Sequence, residues 1–205
     1  MAGKDRCLIF DMDGTLVDSE DLAFLAAIDG LGDYYAARGL APVVPSRDEI
    51  RALVGLPSLE YFARLVPPGR RGDAPEIRRL VGGSEVRRLS AGEGRLFPGV
   101  RETLESLSGS WRLGLVSNCG RVYLDANLRH LLPPLFAVAC CLDDRPSKTE
   151  NVRAALERLG CREGAMVGDR SADLDAGLAN GLRTVGCGYG FAPAELSSAD
   201  AVIGE

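Results

Sequence analysis

Short apolar runs separated by segments of helical spacing constrain this chain more than any other feature. Cys7-Leu8-Ile9-Phe10, Leu113-Gly114-Leu115-Val116, Phe136-Ala137-Val138-Ala139-Cys140-Cys141, Ala165-Met166-Val167 and Arg183-Thr184-Val185 have the length and composition of buried strands, and Ala201-Val202-Ile203 adds a sixth. Between them, Val100–Leu107, Val122–Leu132, Glu150–Leu159 and Ala172–Asn180 carry apolar residues at three- and four-residue spacing, the period of a helix with one buried face. Pro98-Gly99 opens one of these helices and Pro133-Pro134 closes another. Strand and helix in alternation predict an α/β fold with a parallel sheet covered on both faces.

Residues 19 to 92 break the alternation. Leu22, Leu25, Ile28 and Leu31 mark one face of a long helix, and shorter helical patterns follow at Arg47–Val54, Leu59–Leu65 and Pro75–Leu89. No run there has the character of a strand. The expected organisation is a core of residues 1–17 and 95–205, with a helical cap of residues 18–94 inserted through hinges near Val17-Asp18 and Gly92-Gly94.

Composition removes several function classes. A net charge of −5 argues against a general nucleic-acid surface. The apolar runs are far shorter than a membrane span and no secretory signal core opens the chain, so a cytoplasmic setting with no membrane partner is expected. The six cysteines show no C-x-x-C pair and are expected to be small apolar filler.

Where the predicted strands end, polar groups begin. The first ends in Asp11-Met12-Asp13-Gly14-Thr15, the second in Ser117-Asn118, the third in a loop that reaches Lys148, and the fourth in Gly168-Asp169 with Asp173 four residues on. A parallel sheet brings all four loops to one rim, beyond the carboxyl ends of its strands. Carboxylates gathered there suit Mg²⁺, which prefers oxygen ligands. A hydroxyl, backbone N–H groups and one ammonium suit a phosphoryl group. One carboxylate can then attack phosphorus while a second, two residues away, handles protons.

Asp11-Met12-Asp13-Gly14-Thr15-Leu16-Val17-Asp18-Ser19 resembles the first motif of the haloacid dehalogenase superfamily of aspartate-nucleophile phosphotransferases. Ser117-Asn118, Lys148 and Gly168-Asp169-Arg170-Ser171-Ala172-Asp173 resemble its second, third and fourth motifs, in order, and Leu96-Phe97-Pro98-Gly99-Val100 resembles the return to the core after a helical cap. The resemblance implies a Rossmann-like core in which Asp11 is nucleophile and Mg²⁺ ligand. It makes Asp13 the general acid/base and a metal ligand through its carbonyl. Ser117 and Lys148, with Asn118 beside them, hold the phosphoryl oxygens; Asp169 binds the metal, Asp173 binds it or orients its waters, and Thr15 supports the loop. The third motif departs from its commonest form, with Thr149 where Pro usually follows the lysine, which leaves Arg145 as a substitute cation.

Asp13 favours phosphate esters, because dehalogenase and phosphonate-cleaving relatives lack an acid at that position. Relatives of the β-phosphoglucomutase type carry a cap histidine where this chain has Ala23, and an arginine where it has Ser58. The expected activity is therefore Mg²⁺-dependent hydrolysis of a small phosphate monoester, of the phosphoglycolate or sugar phosphate class, through an aspartyl-phosphate. The alternatives are a phosphomutase and a non-catalytic phosphate-binding or regulatory protein on the same fold. The doublets Arg70-Arg71, Arg78-Arg79 and Arg87-Arg88, interleaved with Glu76 and Glu85, are expected on a solvated helix face. His130 is expected at the surface near a helix end, and Trp111, Tyr34 and Tyr35 in packing.

Overall fold

The computed structural model describes residues 6–204. Strand β1 (Arg6–Phe10) lies at the middle of a six-stranded sheet of order β3-β2-β1-β4-β5-β6, in which every pairing is parallel. The other strands are β2 (Arg112–Ser117), β3 (Phe136–Cys141), β4 (Glu163–Gly168), β5 (Arg183–Cys187) and β6 (Ala201–Ile203). Side-chain alternation along β1 splits the core: Phe10 packs with Leu113, Leu115 and Leu124 on one face, while Cys7 and Ile9 pack with Val116, Val152 and Met166 on the other. Helices α5 (Val100–Ser108) and α6 (Arg121–His130) contribute to the first layer, and α7 (Lys148–Leu159) and α8 (Ser171–Leu178) to the second.

Between β1 and α5 run α1 (Glu20–Ala36), α2 (Arg47–Leu53), α3 (Ser58–Arg64) and α4 (Ala74–Ser90), which share a buried cluster built on Tyr34, Leu31, Ile50, Phe62 and Val81. The face expected for α1 is corrected here. Leu22 and Leu31 are buried, but Leu25 and Ile28 are 36% and 41% exposed. The buried stripe instead follows Ala23, Ala26, Ala27 and Gly30, because α4 comes too close for larger side chains. A Cβ on Gly30 would lie 2.5 Å from the Val81 nitrogen. The two segments joining these helices to the sheet are paired with each other: Asp18 N–H donates to the Arg95 carbonyl (2.9 Å) and Phe97 N–H to the Leu16 carbonyl (3.0 Å).

The cysteines form no disulfide and five of the six are buried. Tyr34 and Tyr35 pack edge to face at 5.0 Å, and His130 is exposed in the last turn of α6. No helix of the described residues is long and apolar enough to cross a membrane.

Candidate active site

Order reverses at β1, whose neighbours β2 and β4 leave from opposite sides, and such a switch point opens a crevice beyond the strand ends. Asp11 follows β1 there, its N–H tied to the Val167 carbonyl (2.9 Å). The chain then turns through Gly14 at φ +83°. Asp169 follows β4, and Asp173 sits in the first turn of α8, where its Oδ2 accepts the Arg170 N–H (2.9 Å). Ser117 ends β2, and Lys148 begins α7.

These side chains converge. Lys148 Nζ donates to Asp11 Oδ1 at 2.6 Å and forms a second ion pair with Asp173. Arg145, the substitute considered for it, is exposed, and its guanidinium donates to the neighbouring Asp144 carbonyl. Asp11, Asp169 and Asp173 offer carboxylate oxygens within 4.8 Å of one another, all buried. Three carboxylates against one ammonium leave two negative charges uncompensated, the charge of one divalent cation.

Local detail fits that cation. Asp169 Oδ2 accepts the Phe191 N–H (2.7 Å), but its buried Oδ1 has no hydrogen-bond partner. Glycines keep the space around it clear: a Cβ on Gly14 would lie 2.3 Å from Asp169 Oδ2, and one on Gly190 would lie 2.3 Å from Asp169 Cβ. Oxygen-only ligands match a hard ion. The cluster is thus compatible with a divalent metal.

Electrostatics follow from burial and crowding. Burial, then Asp173, pushes Asp11 well above the usual carboxylate range, with Lys148 opposing. Asp169 rises to about 7 from burial and then Asp173. Asp13 is also raised by burial, against hydrogen bonds from Ser19 and Tyr123. Burial works to lower Lys148, but Asp11 and Asp173 overcome it and hold the ammonium charged.

Asn118 and Thr15 make contacts around the crevice. Asn118 reaches the crevice, yet its amide donates to the Gly55 carbonyl (3.0 Å) and its own carbonyl accepts the Ser58 N–H (3.1 Å). These contacts tie the loop before α3 to the end of β2. Thr15 supports its loop through the backbone, where its carbonyl accepts from Tyr189 (2.9 Å), while its buried hydroxyl has no hydrogen-bond partner among the described residues.

A cavity of about 540 Å³ opens beside the carboxylates, between Asp13 and Ser117 on the sheet side and α3 and α4 opposite. Sequence reasoning missed three residues that line it. Tyr123 donates to Asp13 Oδ1 at 3.0 Å and orients it. Tyr61 is buried on α3. Glu85, expected on a solvated face, is buried at 7% exposure, so that expectation is corrected: α4 turns this acid inward. The helical period of α4 could have flagged it, since Ile77, Val81 and Ser84 lie on the same buried side.

Comparison with known proteins agrees with this geometry. The model of the haloacid dehalogenase-like hydrolase family matches residues 8–187. Pyrophosphatase PpaX of Bacillus pumilus is 31% identical over 189 residues, covering 89% of this chain and 82% of the relative. Phosphoglycolate phosphatase of Agrobacterium fabrum is 30% identical over 197 residues, covering 89% and 80%. A crystal structure of a predicted phosphoglycolate phosphatase from Haemophilus somnus superposes with a TM-score of 0.83 at 21% identity, covering 100% of this chain and 96% of that one. With a switch-point site carrying Asp11, Lys148, Asp169 and Asp173, and a family match that runs from β1 to β5, the chain belongs to the haloacid dehalogenase-like hydrolases.

Proposed function

We propose that this chain is a Mg²⁺-dependent phosphatase that hydrolyses a small phosphate monoester, of the phosphoglycolate or sugar phosphate class, through an aspartyl-phosphate on Asp11. The observation that carries the reading is that Asp11, with the Lys148 ammonium 2.6 Å from it, stands two residues before Asp13, which Tyr123 holds in the wall of the cavity. The relatives named pyrophosphatase and phosphoglycolate phosphatase support phosphoryl chemistry.

Asp11 attacks phosphorus, so that an Asp11 oxygen–phosphorus bond forms as the ester bond to the leaving oxygen breaks. Asp13, oriented by Tyr123, delivers a proton to that oxygen. Water then gives a proton back to Asp13 and attacks the same phosphorus, releasing Asp11 and phosphate. Ser117 donates to a phosphoryl oxygen, and Lys148 balances charge on the transferred group. Mg²⁺ held by Asp11, Asp169 and Asp173, with the Asp13 carbonyl, would supply the positive charge that lets an anionic substrate approach these acids. Residues 18–94 act as a cap whose closure excludes bulk water. The setting is cytoplasmic, and neither nucleic acid nor membrane is a partner.

Ala23 and Ser58 both line the cavity, where relatives of the β-phosphoglucomutase type carry a histidine and an arginine, and neither brings the positive charge of those residues, which favours hydrolysis over a mutase. A pure binding protein has no use for an acid/base at Asp13. The test is phosphate release from p-nitrophenyl phosphate and a panel of small esters. Wild type is expected to turn over with Mg²⁺, to stop with EDTA, and to stop in Asp11→Asn with its circular dichroism unchanged. An active Asp11→Asn sinks the nucleophile, full activity in EDTA sinks the metal, and isomerised sugar phosphate without free phosphate selects the mutase.

A further inference from the structure

Glu85 has no place in the chemistry above, yet it is the one acid of α4 turned into the cavity that holds Asp13. It is more than nine-tenths buried, and its carboxyl has neither hydrogen bond nor ion pair among the described residues. The carboxyl opens on the cavity with its hydrogen-bonding capacity unused, available to a ligand that enters. Around it stand Asp13 from the loop after β1, Tyr61 from α3 and Tyr123 from α6. Much of the remaining wall is apolar, with Ala23, Val54, Leu56, Phe62 and Val86. The two nearest cations on α4 do not serve it. Arg78 pairs with Asp143 at 2.6 Å, and Arg79 is exposed at the cavity mouth.

We propose that Glu85 is the specificity-determining residue, selecting phosphate esters whose leaving alcohol carries further hydroxyl groups over esters whose leaving alcohol carries a carboxylate or a second phosphate. The inference rests on the phosphatase reading and narrows its substrate class. Asp13 must meet the leaving oxygen, so the rest of the leaving group extends towards Glu85 on the opposite wall. A hydroxyl there suits the carboxyl in either protonation state, because it can donate or accept. An anionic group there meets Asp13 and Glu85, while of the two cavity-lining arginines Arg78 is already paired with Asp143 and Arg79 is exposed. Burial, and then the Asp13 charge, raises Glu85 to about 8, the same like-charge repulsion a second anion would feel. A site that hydrogen-bonds a substrate hydroxyl discriminates strongly, since the unmatched ligand leaves its polar groups unpaired.

Matched substrates test this. 2-Hydroxyethyl phosphate and 2-phosphoglycolate differ only in CH₂OH against carboxylate, as do glycerol 3-phosphate and 3-phosphoglycerate. Assayed near pH 9, above the value of about 8 to which Glu85 is raised, so that its carboxylate is charged, wild type is expected to favour the alcohol of each pair by about ten-fold or more in kcat/KM. Glu85→Gln keeps the shape and the hydrogen bonding but not the charge, and should narrow that ratio. Glu85→Lys should invert it. A wild type that prefers the carboxylate member, or a ratio untouched in both variants, overturns the proposal. Wild-type hydrolysis of p-nitrophenyl phosphate that is lost in Asp11→Asn reports on the phosphatase reading alone, so a flat ratio with that activity intact removes only the selectivity. Absence of all activity removes both.

Discussion

Gly14 bears two constraints at once: its backbone lies in the left-handed region at φ +83°, and a Cβ would press on the Asp169 carboxylate. Gly39 separates the two. It sits at φ +62° with nothing within 4 Å, so Gly39→Ala should cost only the backbone term, on the order of 1 kcal/mol. Gly14→Ala adds the collision, so it should lower stability further, cut kcat/KM by about 100-fold and weaken Mg²⁺ half-saturation. Melting curves and Mg²⁺ titrations of both variants check this, and equal behaviour of the two would show that the Asp169 space is unimportant. The same scale shows what a sequence can disclose about a site. Asp11, Asp13, Ser117 and Asp169 are legible because each lies within three residues of a strand end, where backbone direction fixes their position. Glu85 is hidden because its direction depends on how α4 packs against α1 and α3, and its flanking arginines imitate a solvent face. Tyr123 reads as an ordinary helix residue until α6 is seen to bring its hydroxyl over Asp13.

Elements meet the same limit. The strands are legible to within two residues; for the central β1 and β2 the reason is burial on both faces, which makes their runs continuously apolar, whereas β6 is exposed and legible from its short apolar run alone. The α1 face was not, since the contact with α4 selects for small side chains rather than greasy ones, and Ala and Gly give hydropathy little to report. Arg170 is a further case: it lies in the fourth motif yet reaches the loop between α2 and α3. Its Nε donates to the Val54 carbonyl (2.7 Å), Nη2 to the Ala52 carbonyl (2.9 Å) and Nη1 to Glu195 (3.1 Å). Together with Asn118 on Gly55, this guanidinium holds the cavity's entrance loop against the sheet. Arg170→Ala should therefore raise KM by about ten-fold with a smaller change in kcat, at a stability cost of about 1–3 kcal/mol. Steady-state kinetics beside melting curves decide the matter. A lowered Tm with unchanged KM would assign Arg170 to structure alone.

At the scale of the whole molecule, a site rich in buried acids sets activity against stability, and Glu85 offers the cleanest measure of that conflict. Its carboxyl rises from an ordinary 4.5 to about 8 on folding, first through burial and then through Asp13. The folded chain therefore keeps a proton that the unfolded chain releases between those values, and stability contributed by this group falls as pH climbs from about 4.5 to 8. Below that window the group is protonated in both states, and above it the loss is complete. Glutamine has the shape without the titration. Glu85→Gln should thus come close to wild type near pH 5 and exceed it near pH 8.5 by up to about 5 kcal/mol, on the order of ten degrees in Tm for a chain of this length. Other raised acids, Asp11, Asp13 and Asp169, remain in both proteins and largely cancel in the difference. Melting with EDTA present keeps metal binding out of the comparison. A Tm gap that is the same at pH 5 and pH 8.5 would mean that Glu85 is solvated in solution, and would remove the desolvated carboxyl on which its selectivity depends.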